Sequence, residues 1–160
     1  MPARLLSSVP FLLALAACTT QTMPNPASQR TDIEHINMTE NSPYPFSSAV
    51  RVGSMLYLAG QVGAVTENGV AKLVPGGIDA EARQAMENIK AILTKAGSSL
   101  EHVVECKVML ADMAEWPKLN QIYATFFPGP KPARSAWGAN GLALNARVEI
   151  TCMATTGNEK

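Results

Sequence analysis

The sequence predicts a two-layer α+β domain in which one mixed β-sheet packs on two helices. Three observations lead there. Apolar residues alternate in five segments and recur at helical spacing in two, in the order strand, strand, helix, strand, helix, strand, strand. Each helical segment is apolar along one stripe only, so each needs another layer to cover it. The chain has 160 residues, 47% hydrophobic and 16% charged, enough for one domain with a real core and not for two.

The elements follow in order. Ser48–Val52 alternates, Gly53-Ser54 makes a two-residue turn, and Met55–Ala59 alternates again. Glycine at the first turn position suits a type II′ hairpin. Gly60-Gln61 ends the second strand, and residues 62–78, with Asn68-Gly69 and Pro75-Gly76-Gly77, read as loop. Asp79 is expected to cap a helix whose stripe is Ala82, Met86, Ile89, Leu93 and Ala96, with Gly97 closing it. Val104–Leu110 alternates as a half-buried strand. Asp112 is expected to start the second helix. Its stripe of Trp116, Leu119, Tyr123 and Phe126 reads as core, and Pro128-Gly129-Pro130 stops it.

The stretch KPARSAWGANGLALNARVEITCMAT, residues 131–155, supplies the last two strands around a Gly-Ala-Asn-Gly loop. In the final strand Val148, Ile150, Cys152 and Ala154 face one way, and Arg147, Glu149 and Thr151 the other. The sheet face without helices carries Tyr57, Met109 and Met153. That face is too apolar to be left in water and predicts a partner subunit.

The N-terminus has the pattern of a targeting segment. MPAR is basic, LLSSVPFLLALAA is apolar but short for a membrane span, and Leu15-Ala16-Ala17 precedes Cys18. Residues 1–17 are expected to be a signal peptide. Cys18 resembles the lipidated cysteine of bacterial lipoproteins, an ordinary secretory signal being the alternative. Residues 18–40, rich in Thr, Pro, Asn and Ser, read as lipidated cysteine and flexible tether, and residues 41–156 as the domain. The expected location is periplasmic, anchored by lipid to the outer membrane.

Net charge is zero with histidine neutral, and no basic block stands out. Nucleic-acid binding is therefore not expected. Neither His35, in the expected tether, nor His102 has metal-ligand spacing. An oxidising compartment permits a Cys106–Cys152 bridge. Their alternating apolar context favours two free core thiols instead.

Six segments, in order, carry a family resemblance: Phe46–Gly53, Leu58-Ala59-Gly60-Gln61, Ala82–Lys90, Leu119–Tyr123, Pro132-Ala133-Arg134-Ser135 and Val148-Glu149-Ile150. Together they resemble the reactive intermediate deaminase family, the RidA/YjgF group, over residues 41–155. The resemblance implies a chorismate-mutase-like fold, a homotrimer with clefts between subunits, and hydrolysis of small enamines and imines to a 2-keto acid and ammonia. It implies no metal or organic cofactor. Arg134 matches the arginine that grips the substrate carboxylate, a task suited to a planar guanidinium. Glu149 matches the acid that orients or deprotonates water. Gly60 matches a backbone position lining the cleft, and Asn120 a pocket amide. Phe46, Ala59 and Ala136 stand where tyrosine, serine and cysteine are common, and Tyr44 lies close enough to replace the first hydroxyl.

Two alternatives to a deaminase stay open on the sequence. One is a non-catalytic binder of small carboxylates in the cell envelope, using Arg134 alone. The other, less favoured by the charge, is an endoribonuclease. Arg134 and Glu149 could also form an ion pair at a subunit interface.

Overall fold

Among the described residues, alternation and helical spacing resolve into nine strands and two α-helices. The structure, a computed structural model, describes residues 32–157 apart from Pro43 and Asn68. Cys18 and the expected signal peptide lie outside the described residues. In chain order the elements are β1 (Ile33–Ile36), β2 (Ala49–Val52), β3 (Met55–Leu58), β4 (Gln61–Val62), β5 (Ala64–Glu67), β6 (Val70–Leu73), α1 (Gly77–Lys95), β7 (Val103–Leu110), α2 (Trp116–Phe126), β8 (Ala133–Gly138) and β9 (Val148–Thr155).

The main sheet runs β1-β2-β3-β9-β7-β8, and β4 pairs with β9 beyond the end of β3. All its pairs are antiparallel except β7–β8, which is parallel. A parallel pair needs a crossover, and α2 lies in it. The sheet is therefore mixed, as expected. Leu56, Val108, Leu110, Val148 and Ile150 from the sheet meet Met86, Ile89, Leu93 and Leu119 from the helices, all of them completely buried. The opposite sheet face leaves Tyr57 45% and Trp137 44% exposed.

Turn chemistry is as expected in the first hairpin: Gly53 takes φ 58, a value a side chain resists and a type II′ turn requires. The last turn of α1 closes with Gly97 N donating to Thr94 O and Ser98 N to Leu93 O, the double bond of a Schellman ending. Arg51 Nη2 also donates to Ala96 O there, at 2.8 Å.

Four expectations are corrected. The sheet begins before residue 41: β1 pairs with β2, His35 opposite Val50, and His35 meets Ser47 Oγ at 3.2 Å instead of lying in a tether. With three of its four residues exposed, β1 shows no alternation to read. Residues 62–78 are not loop throughout: β5 and β6 form a hairpin that turns at Gly69. Asn88 Nδ2 donates to Ala64 O at 2.9 Å and ties that hairpin to α1. Neither helix starts at the expected aspartate. Asp79 lies in the first turn of α1, capped by Gly76, and ion-pairs with Lys118 at 3.2 Å. Asp112 caps a single 3-10 turn before α2, accepting from Ala114 N.

The fourth correction concerns the cysteines. Cys106 and Cys152 are directly opposite in the β7–β9 register, with Cα atoms 4.1 Å apart, and they form a disulfide. Alternation shows that both point into the core. It does not show that their strands are neighbours in this register.

Candidate functional site

Two of the nominated residues meet on α2 and β8. Trp116, Asn120 and Tyr123 stand at i, i+4 and i+7, hence on one face of α2. Arg134 on β8 is in register with Cys106, whose side chain is buried beneath the helices, so Arg134 points the same way. Its Nη2 donates to Asn120 Oδ1 at 2.6 Å. Its guanidinium carbon lies 4.8 Å from the Trp116 ring centroid and 4.6 Å from that of Tyr123. Ala136, two residues on, shares this side and packs on the core. Among the described residues no carboxylate ion-pairs with Arg134, whereas Arg51 holds Glu34 at 3.1 Å and Arg147 is bound to Glu115. Tyr123 is 6% exposed. Burial pushes its phenol pKa up to about 12, against the pull of the Arg134 charge, and among the described residues its hydroxyl has no hydrogen-bond partner.

Glu149 belongs to the other side of the sheet. It lies between the buried Val148 and Ile150 on β9, so its side chain turns away from the helices. Its cross-strand neighbours are Met109 on β7 and Val62 on β4, and Trp137 on β8 continues the same row. Gly60 is brought to Glu149 by a break in pairing. Tyr57 pairs with Met153 and Gln61 with Ile150, so residues 58–60 hold one more residue than the facing part of β9. This bulge is bridged by Thr151 Oγ1, which donates to Leu58 O at 2.7 Å. A Cβ on Gly60 would lie 1.9 Å from Glu149 Oε1, so the carboxylate occupies the space that only glycine leaves open. Any side chain at residue 60 displaces that carboxylate. Among the described residues Glu149 makes no ion pair.

Tyr44 and Phe46 form a third group. Their rings stack, with centroids 5.4 Å apart, and both are exposed. Ser48 O accepts from Ala59 N, so their segment enters β2 beside the Ala59–Gly60 corner.

The nominated residues thus fall into two halves: Arg134, Asn120 and Ala136 on the helix side, and Glu149 with Gly60 on the open side. An Arg134–Glu149 ion pair within one chain is not formed. The sequence reading missed Trp116 and Tyr123 as neighbours of the arginine, having assigned both to the core stripe. Their signal was the spacing from Asn120, which places both rings and the amide on one helical face.

The family of the chain emerges from its similarity to known proteins. Residues 39–156 match the family described as Endoribonuclease L-PSP. A mouse (Mus musculus) protein named 2-iminobutanoate/2-iminopropanoate deaminase is 43% identical over 113 residues, 71% of this chain and 82% of its own length. The Arabidopsis thaliana protein Reactive Intermediate Deaminase A, chloroplastic, is 38% identical over 120 residues, 73% of this chain and 63% of its own length. The crystal structure of yeast YEO7 superposes with a TM-score of 0.72 at 30% identity, covering 79% of this chain and 100% of that one. With most of its length matched in sequence and its fold matched in solved structures, this chain belongs to the Endoribonuclease L-PSP family, the RidA/YjgF group.

Proposed function

We propose that this protein hydrolyses small 2-imino acids, and their enamine tautomers, to a 2-keto acid and ammonia. The observation that carries the reading is a pair of opposite charges, Arg134 and Glu149, each left without an ionic partner among the described residues. The names of the mouse and Arabidopsis relatives support it.

The roles follow from the chemistry. Arg134 grips the substrate carboxylate through two parallel N–H donors and fixes the imine in place. Glu149 orients a water and accepts its proton as the oxygen bonds to the imine carbon. The C=N electron pair moves onto nitrogen, which is then protonated. Collapse of the resulting carbinolamine breaks the C–N bond, releasing ammonia and leaving the keto acid.

Because the two halves lie on opposite faces of one sheet, the cleft is completed by a second copy, with the arginine half from one chain facing the glutamate half of the next. A homotrimer closes this arrangement and covers the apolar open face of Tyr57, Met109 and Met153. Ammonia release from 2-iminopropanoate, generated in place by an amino-acid oxidase, tests the activity. Wild type accelerates hydrolysis, and Glu149→Gln lowers the rate roughly 10²- to 10⁴-fold. Carboxylate binding without acceleration on any imino acid overturns the enzyme in favour of a carboxylate-binding protein. Cleavage of RNA by wild type that is insensitive to Glu149→Gln points to the endoribonuclease instead.

We infer that the protein works in the cell envelope, anchored through Cys18. A buried disulfide suits an oxidising compartment and supports this. Labelled palmitate enters the wild-type protein in a bacterial host and is absent from Cys18→Ala. Equal labelling, or none in either, contradicts the anchor.

A further inference from the structure

An arginine can be immobilised in two ways, and this chain uses both. Arg51 and Arg147 are held by carboxylates, which fix the guanidinium and also neutralise it. Among the described residues, Arg134 is held without a carboxylate partner. Trp116 and Tyr123 lie two helical turns apart on α2, about 10.5 Å along the axis. The guanidinium carbon is within 5 Å of both ring centroids, 4.8 and 4.6 Å, so it sits between them. Asn120, between the two on the same helix face, takes Nη2 through a neutral amide oxygen. Nε and Nη1 make no hydrogen bond to the described residues, which leaves one edge of the fork open.

We propose that Trp116, Asn120 and Tyr123 form an uncharged cradle, positioning residues that aim the Arg134 fork while leaving its full charge to the ligand carboxylate. A ring face attracts a cation through its quadrupole and carries no net charge, so the attraction does not cancel what an anion feels at the open edge. Two flanking rings also remove the freedom that an arginine otherwise loses on binding. Tyr123 stays a neutral phenol throughout the physiological range, since burial raises its pKa, and so does not become a competing anion.

This proposal rests on the carboxylate-site reading above, and one set of titrations separates the two. The probe is 2-oxobutanoate, a keto acid that does not react, titrated calorimetrically into the purified full chain, with KM and kcat measured alongside. Trp116→Leu is expected to weaken binding five- to thirtyfold and raise KM by a similar factor with kcat little changed. Trp116→Phe restores binding to within about threefold. Asn120→Asp is the decisive variant, because it is isosteric and puts a carboxylate against Nη2. A purely structural contact is strengthened by that change. The proposal requires the reverse for function: melting temperature equal to or above wild type, and binding weakened at least tenfold. Wild-type affinity in both folded Trp116→Leu and Asn120→Asp, with Arg134→Ala unable to bind, overturns the cradle alone. Wild-type affinity in Arg134→Ala overturns the carboxylate site and the cradle together.

Discussion

Arg134→Ala is expected to reduce kcat/KM for 2-imino acids by roughly 10²- to 10⁴-fold, because a charge-assisted fork of two hydrogen bonds is lost at once. The loss should appear in binding as well as in turnover, since the same fork holds both the substrate and the transition state. The fold should survive. Arg134 is half-buried at the start of β8, which is the edge strand of the sheet, and among the described residues it makes no ion pair whose partner would be stranded. Steady-state kinetics on oxidase-generated imines, beside circular dichroism of the variant, make the measurement. A variant with unaltered KM and kcat removes Arg134 from the site.

The second large effect concerns stability. The Cys106–Cys152 bridge closes a loop across a sequence separation of 46 residues, joining two inner strands of the sheet. The chain-entropy account of such a loop gives about 4 kcal/mol. Reduction is therefore expected to lower the melting temperature by roughly 10–20 °C. Both sulfurs are buried, so reductant acts only when the protein opens. The comparison needs protein reduced while unfolded, then refolded under reductant, against the oxidised form. Identical melting curves rule out a stabilising bridge. A Cys106→Ala, Cys152→Ala double variant separates the cross-link from the packing of the two side chains.

Much of this was legible from local pattern. The 3.6-residue stripes located both helices, and period-two alternation assigned Val148, Ile150, Cys152 and Ala154 to the core and Glu149 to the other face. Arg134 and Glu149 were nominated by the family resemblance that the short motifs carry, not by local pattern alone. What escaped depends on register. Which face Arg134 takes follows from its pairing with Cys106 across a parallel junction that no local pattern encodes. The disulfide needs β7 and β9 to be neighbours, and β1 owes its place to pairing with β2 rather than to its own residues. The Glu149–Gly60 contact arises from a bulge of a single residue, visible only once both strands are paired with β9.

The placement of Arg134 and Glu149 on opposite faces of one sheet has a genetic consequence. In the proposed trimer each reaction centre borrows from two polypeptides, so neither residue needs to be intact in every copy. Arg134→Ala and Glu149→Gln proteins, each silent alone, should regain activity when unfolded together and reassembled. With random mixing, about a quarter of the clefts then pair an intact arginine from one parent with an intact glutamate from the other. Two defective alleles in one cell would complement, and a single defective allele would weaken the assembly in proportion to its dose rather than silence it.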